Sequence, residues 1–87
     1  MKRAGNHAKY MANLNKGKEF YKVQRFEDAL KYFNTALELE PYSHWAWNEK
    51  GNALRRLGRQ KEAIDCYERA IHLDKARSYP FPYIGIA

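Results

Sequence analysis

The chain has 87 residues, a formal charge of +6, 45% apolar and 30% charged residues, and a single cysteine. This length suits one small domain, and the frequent apolar residues exclude an intrinsically disordered chain. One cysteine cannot form an internal disulfide. No apolar run reaches the length of a membrane span, and none follows the basic start as it would in a secretory signal. We therefore expect a small globular protein of the cytoplasm.

The positive charge is concentrated in two parts of the chain. Residues 1–9 carry three basic residues and no acidic one, and residues 44–77 carry eight basic and five acidic residues. Residues 10–43 balance five basic against five acidic residues. This distribution favours an acidic partner over a basic one.

Apolar residues recur every three or four positions, which predicts helices near residues 9–22, 26–40, 44–57 and 60–76. The breaks between them are marked by residues of the expected kinds. Gly58 suits the left-handed end of a helix, Pro41 closes the second helix, and Ser43 is a good N-cap for the third. No segment alternates apolar and polar residues as a strand does.

Small residues repeat along the chain with a period of 34. Glycine recurs at 17 and 51, and alanine recurs at 29 and 63 and again at 36 and 70. A glycine inside a helix costs about 1 kcal/mol relative to alanine, so its repetition suggests a close helix crossing. We expect Gly17 to meet Ala29, and Gly51 to meet Ala63. We expect Ala36 and Ala70 to make the next close approach, between one helix pair and its neighbour.

The repeated residues resemble the tetratricopeptide repeat, whose pattern is W-x2-L-G-x2-Y followed by a small residue, an aromatic residue, alanine and proline. The first repeat matches the pattern at Asn13, Lys16, Gly17, Phe20, Ala29, Phe33, Ala36 and Pro41. The second repeat matches it at Trp47, Lys50, Gly51, Leu54, Ala63, Tyr67 and Ala70. Four of the aligned positions depart from the pattern. Asn13 replaces the aromatic residue, Lys16 and Lys50 replace the leucine, and Lys75 replaces the closing proline of the second repeat.

The resemblance implies an all-α fold in which two antiparallel helix hairpins stack as a right-handed superhelix. It covers a two-repeat domain at residues 10–77, preceded by a basic tail at 1–9. Residues 78–87 then read as a partial third repeat or a capping segment. Because so few repeats bury little surface, we expect the isolated chain to self-associate through residues 79–87, an expectation that the mass from light scattering would check.

The sequence contains no motif that predicts catalysis, a metal site or a cofactor site. Its three histidines lack metal-ligand spacing, and neither a nucleophile motif nor a phosphate-binding loop is present. Cys66 is expected to pack as a small helix residue. We therefore expect a protein that is not an enzyme.

The resemblance instead implies a concave groove, lined by the leading helix of each repeat, that holds an extended peptide or a partner helix, which is expected to be acidic. Its expected contacts are basic, amide-bearing or aromatic, and they are Met11, Leu14, Lys18, Tyr21, Lys22, Trp45, Asn48, Asn52, Arg55 and Arg56. Trp47 is expected to point inward. The clamp with which some relatives hold a terminal carboxylate has no match at its expected places, which are Leu14, Lys18, Glu49, Tyr79 and Tyr83.

Two alternatives remain at this point. The basic run RRLGRQK at residues 55–61, together with the basic start, could neutralise phosphates of RNA or another nucleic acid. The acidic residues interleaved with it make this reading less favourable than peptide binding. The repeats could also serve as a purely self-associating scaffold.

Overall fold

A computed structural model of the protein describes the backbone of residues 2–78 and the side chains of residues 5–75. Its helices are α1 (Lys2–Lys22), α2 (Phe26–Leu39), α3 (His44–Arg56) and α4 (Gln60–Ser78). Helices α1 and α2 form one hairpin, α3 and α4 form a second, and α2 packs against α3 to join the two. The all-α repeat fold is therefore confirmed, and the described residues contain no strand.

Helix α1 begins at Lys2, earlier than the predicted start near residue 9. The segment interpreted as a basic tail is thus helical from Lys2 onward. It contains no proline, and His7 is anchored by a 2.6 Å contact from its Nδ1 to the Oε2 of Glu40. The domain limits at residues 10 and 77 stay a prediction, and the segment predicted to cap or associate at 79–87 lies outside the described residues.

The two hairpin turns share an unusual backbone conformation. Gly58 has a φ of 83°, and Gln24, 34 residues earlier, has a φ of 66°. The left-handed conformation was expected at Gly58 but not at Gln24, because a side chain there costs about 1–2 kcal/mol. Both turns therefore follow one path, and only the second has the residue that favours it.

Replacing Gln24 with glycine should stabilise the chain by roughly 0.5–1 kcal/mol, since the backbone strain removed exceeds the added freedom of the unfolded chain. Gly58→Ala is the matched control. A methyl group there would meet no atom within 4 Å, so its effect comes from the backbone alone, and it should destabilise. Urea denaturation measures both. Destabilisation by Gln24→Gly would contradict the expectation.

The start of α3 has the predicted cap. Ser43 Oγ accepts a hydrogen bond from the backbone N–H of Ala46 at 3.2 Å, which satisfies one of the free donors of the first turn. The same oxygen is joined to the hydroxyl of Tyr10 by a hydrogen bond of 2.5 Å. The cap of the second hairpin is thus linked to the first helix of the chain.

The core follows the repeated residues, and an aromatic ring lies nearest to each repeated glycine. A Cβ on Gly17 would lie 2.5 Å from Cε1 of Phe33, and one on Gly51 would lie 2.8 Å from Cε1 of Tyr67. The expected approaches of Gly17 to Ala29 and of Gly51 to Ala63 stay predictions. Each glycine makes room for an aromatic ring of the trailing helix, four residues beyond the alanine, because a flat ring fills the space between the helices better than a methyl group.

The remaining repeat residues pack largely as expected. Ala36 is fully buried in one cluster with Ala46, which belongs to the neighbouring hairpin. Leu54 and Ala63 are buried in a second cluster, and Ala70 is buried as well. Trp47 is half-buried and packs against both clusters, while its Nε1 donates to the carbonyl of Pro41 at 2.8 Å. The indole thus points inward, and its hydrogen bond joins α3 to the turn that follows α2.

Candidate functional site

A surface cavity of about 600 Å³ lies between α1, the turn after α2, and α3. This is the side of the stack on which the two leading helices run next to each other. The residues that line the cavity are His7, Tyr10, Met11, Leu14, Asn15, Lys18, Glu40, Tyr42, Ser43, His44, Trp45 and Glu49. The cavity therefore occupies the N-terminal part of α3 and most of the length of α1.

Large apolar side chains are exposed around this cavity. Tyr42 is 81% exposed, Trp45 is 59% exposed and Met11 is 40% exposed. These are three of the six large apolar side chains that are exposed within residues 5–75. Trp45 lies against the ring of His44, with 4.6 Å between the centroids. Since exposed apolar groups gathered in one place commonly mark a binding surface, the cavity is the best candidate for a ligand site.

Polar groups at one end of the cavity hold its walls in place. His7 contacts Glu40 and stacks on Tyr10, with 5.7 Å between the ring centroids. Tyr10 in turn is bonded to Ser43. The wall from α1 is thus fixed to the turn and to the start of α3. This arrangement presents a formed surface rather than a loose one.

The cavity brings together four of the predicted groove residues. Met11, Lys18 and Trp45 line it with exposed side chains, and Leu14 lines it from a largely buried position in the core. Leu14 is therefore mainly a packing residue, because its side chain is enclosed by the first hairpin. The others lie on α1 and α3 outside the cavity lining, and they are Tyr21, Lys22, Asn48, Asn52, Arg55 and Arg56.

Two of these residues are oriented by a tyrosine of the trailing helix. The hydroxyl of Tyr67 donates to Oδ1 of Asn52 at 2.6 Å and accepts from Nε of Arg55 at 3.3 Å. The bond from Arg55 to Tyr67 raises the pKa of the guanidinium, so its charge is retained. Because its oxygen is engaged, Asn52 can present its NH₂ group to a ligand.

The remaining predicted groove residues differ in their surroundings. Arg56 lies over the ring of Phe26, 4.8 Å from its centroid, and so bridges the two hairpins. Tyr21 is half-buried and meets the same ring edge-on at 5.1 Å. Lys22 and Asn48 are exposed. The basic groups of the groove thus lie mainly on the C-terminal halves of α1 and α3.

Several lining residues were missed by the sequence analysis, among them His7, Tyr10, Glu40, Tyr42 and Glu49. Glu40 and Tyr42 lie outside the leading helices, which were the only elements mapped, and His7 precedes the predicted start of α1. Tyr10 and Glu49 lie on the leading helices but not at the positions that the resemblance assigns to the groove. A signal was nevertheless present, because His7–Glu40 and Tyr10–Ser43 are both 33 residues apart. A separation close to the repeat period places a residue beside the matching position of the next repeat.

No other chemical site competes with this cavity in the described part of the chain. Cys66 is buried as expected, and burial raises the pKa of its thiol, which disfavours the reactive thiolate. Among residues 5–75, no three His, Cys, Asp or Glu side chains gather as a metal site would require. None of the four helices, as far as they are described, has both the length and the apolar character that crossing a bilayer demands.

Comparison with known proteins agrees with this architecture. The chain is 45% identical over 70 residues to the protein MJ0572 of Methanocaldococcus jannaschii. The matched region covers 72% of this chain and 81% of that protein. It is 37% identical over 60 residues to the peroxisomal targeting signal receptor of Kluyveromyces lactis, and 29% identical over 59 residues to the Hsp70-Hsp90 organizing protein 2 of Arabidopsis thaliana. These matches cover 69% and 68% of this chain but only 11% and 10% of those longer proteins.

The family comparison spans both hairpins. The sequence model described as tetratricopeptide repeat matches residues 14–80, which include the C-terminal part of α1 and all of the described helices after it. Members of this family are modules for interaction between proteins rather than catalysts. The repeated glycines, their ring partners and the paired hairpins agree with that match. The chain therefore belongs to the tetratricopeptide repeat family.

Proposed function

We propose that this chain is a non-catalytic module that holds an extended segment of another protein in the groove between α1 and α3. The observation that carries this proposal is the cavity, with Met11, Tyr42 and Trp45 exposed around it. Exposed aromatic groups in a formed depression supply the apolar anchors that dominate protein interfaces. Because the side-chain oxygen of Asn52 is bonded to Tyr67, its NH₂ group can donate a hydrogen bond to a carbonyl of the bound peptide.

The names of two relatives support a protein ligand. One is called a receptor for a peroxisomal targeting signal, and another is said to organize Hsp70 and Hsp90. Each contains this chain's two-repeat unit as about a tenth of its length. We take from them only the class of ligand, which is a segment of another protein.

We further propose that the segment carries acidic side chains where it meets the C-terminal halves of the leading helices. Lys18, Lys22, Arg55 and Arg56 lie there. The contacts of Arg55 and Arg56 are made with Tyr67 and Phe26, and no ion pair with a described carboxylate joins them. Their charges are therefore available to a carboxylate of the partner, which arginine can bind with two hydrogen bonds.

Reversing the charge at one groove position should change the peptide preference. On an array of immobilised peptides with acidic, neutral and basic sequences, the unaltered chain should prefer acidic ones. Arg55→Glu should weaken that binding by about tenfold or more, because it removes a charge-assisted contact and adds repulsion. Lys61→Glu makes the same charge change at an exposed position on α4 and serves as the control. Equal losses for both variants would mean that net charge, not the groove, determines binding.

The nucleic-acid alternative is weakened by the surroundings of the basic side chains. Arg25 lies over Phe20, Arg56 over Phe26, and Arg69 over Trp47, at 4.8–5.1 Å from the ring centroids. These ring faces are covered by the chain's own cations, so bases cannot stack on them as they do in single-strand binders. Binding of a mixed-sequence RNA that weakens steeply with salt would support this alternative over the peptide groove.

We further propose that the chain works in the cytoplasm and associates with itself. The buried free thiol of Cys66 is compatible with the reducing conditions of the cytoplasm. Ile64 and Ile71 are 53% and 55% exposed on α4, which is the apolar surface expected to take part in self-association. Self-association itself stays a prediction.

A further inference from the structure

The cavity differs in charge from the rest of the groove. Its lining includes the carboxylates of Glu40 and Glu49 and only one lysine, Lys18. Lys18 is the last of the α1 residues that line it, towards the C-terminal half of the helix. Although the chain has an overall charge of +6, the lining of this cavity therefore has more carboxylates than lysines or arginines.

We propose that this cavity receives an arginine side chain of the bound segment. The inference rests on the proposed function and extends it, since it names a cationic residue in a ligand otherwise recognised by its carboxylates. Three observations carry it: the exposed aromatic rings at the cavity, an uncompensated carboxylate on its wall, and the way this protein already binds its own arginines.

The exposed rings supply the first part of the site. Tyr42 comes from the turn and Trp45 from the first turn of α3, so two aromatic groups flank one opening. A guanidinium group that lies on such a ring is attracted by the electrons of the ring face, most strongly on tryptophan. The same contact occurs within the chain, where Arg69 lies 5.0 Å from the centroid of Trp47.

The carboxylates supply the second part. Glu40 is already engaged by His7, at 2.6 Å. Glu49 is half-buried, and neither an ion pair nor a hydrogen bond joins its side chain to another described residue. A half-buried carboxylate beside aromatic groups is more favourable when a cation binds it, and a planar guanidinium can do so with two parallel hydrogen bonds. Arginine fits better than lysine because its guanidinium can stack on an aromatic ring and also bind a carboxylate with two hydrogen bonds.

The two ends of the groove then define the ligand. Trp45 and Arg55 are ten residues apart on α3, which corresponds to roughly 15 Å along the helix. An extended peptide covers that distance in about four or five residues. The ligand class is therefore a segment in which an arginine and an acidic residue are separated by about that many positions. A segment with acidic residues alone would leave the cavity unfilled.

A small probe tests the cavity directly. N-acetyl-arginine amide is titrated into the ¹⁵N-labelled full chain, and N-acetyl-citrulline amide, which has the same shape without the charge, is titrated in parallel. The arginine compound should shift the Trp45 indole N–H and the backbone amides of residues 7–18 and 40–49. The citrulline compound should bind about tenfold more weakly. Equal shifts with both compounds, or shifts confined to other residues, would overturn the proposal.

Two variants and a control sharpen the test. Glu49→Gln and Trp45→Ala should each weaken binding of the arginine compound by about fivefold or more, whereas Glu68→Gln on the exposed face of α4 should leave it unchanged. If a variant fails to fold, the comparison of arginine with citrulline on the unaltered chain still decides. Peptides captured in the groove without any response to the arginine compound would refute this inference alone. A response to that compound, with no peptide captured, would refute the proposed function instead.

Discussion

Replacing Phe33 with alanine should lower the free energy of unfolding by about 3–5 kcal/mol, the range found when a buried phenylalanine is truncated. The ring is fully buried and lies against the backbone at Gly17, a residue with no side chain that could fill part of the space left by the ring. Urea denaturation followed by circular dichroism measures the loss. For a domain of this size, such a loss is comparable to the whole stability.

Tyr67 provides the control, because it occupies the same position in the second repeat. Its ring is only half-buried, so Tyr67→Ala should cost clearly less than Phe33→Ala. A loss for Phe33→Ala that is equal or smaller would show that the first hairpin does not depend on its ring.

Replacing Gly17 with alanine should destabilise the chain by about 1–2 kcal/mol. The new methyl group would lie 2.5 Å and 2.7 Å from two carbons of the Phe33 ring, which is enclosed and cannot move aside. An approach this close belongs to the upper part of the overpacking range, at about 2–3 kcal/mol, and removing a glycine from a helix returns about 1 kcal/mol. Gly51→Ala should cost less, because its methyl group would lie 2.8 Å and 2.9 Å from two carbons of Tyr67, whose ring is only half-buried.

A double substitution separates the two contributions. In a chain that already carries Phe33→Ala, the methyl group of Gly17→Ala meets no ring, so the second substitution should stabilise by about 1 kcal/mol through helix propensity. The same sign in both backgrounds would mean that the clash with Phe33 is not the reason for glycine at this position.

The repeat explains how much of the fold could be predicted from the sequence. Apolar residues at helical spacing indicated four helices, and small residues repeated over 34 positions indicated that the helices form two similar pairs. Ser43 and Gly58 were expected at the ends where they lie. The repeat pattern includes Phe33, but it cannot tell that this ring is the group nearest to Gly17. Nor could it reveal the left-handed backbone at Gln24, because that conformation is imposed by packing against the residue's own preference.

The candidate site was less accessible to prediction. Positions on α3 such as Trp45 could be mapped from the resemblance, because the helix phase alone determines which way they face. Contacts such as His7 with Glu40 depend on the path of the turn after α2 and on the early start of α1. Glu49 was considered only for the terminal-carboxylate clamp, where it does not fit. Its position on the cavity wall depends on the angle between the hairpins.

The double hydrogen bond at Ser43 has a consequence for how the two repeats fold. Its oxygen caps α3 while it is bonded to Tyr10, so the start of the second hairpin is fully formed only when α1 is in place. In a linear array, stability is a sum of unit terms and nearest-neighbour coupling terms, and helix initiation is the costly step within a unit. In this protein the contact that couples the hairpins, between Tyr10 and Ser43, lies at the residue that caps the start of α3. We therefore expect the first hairpin to favour formation of the second, so that the two unfold together as one cooperative unit.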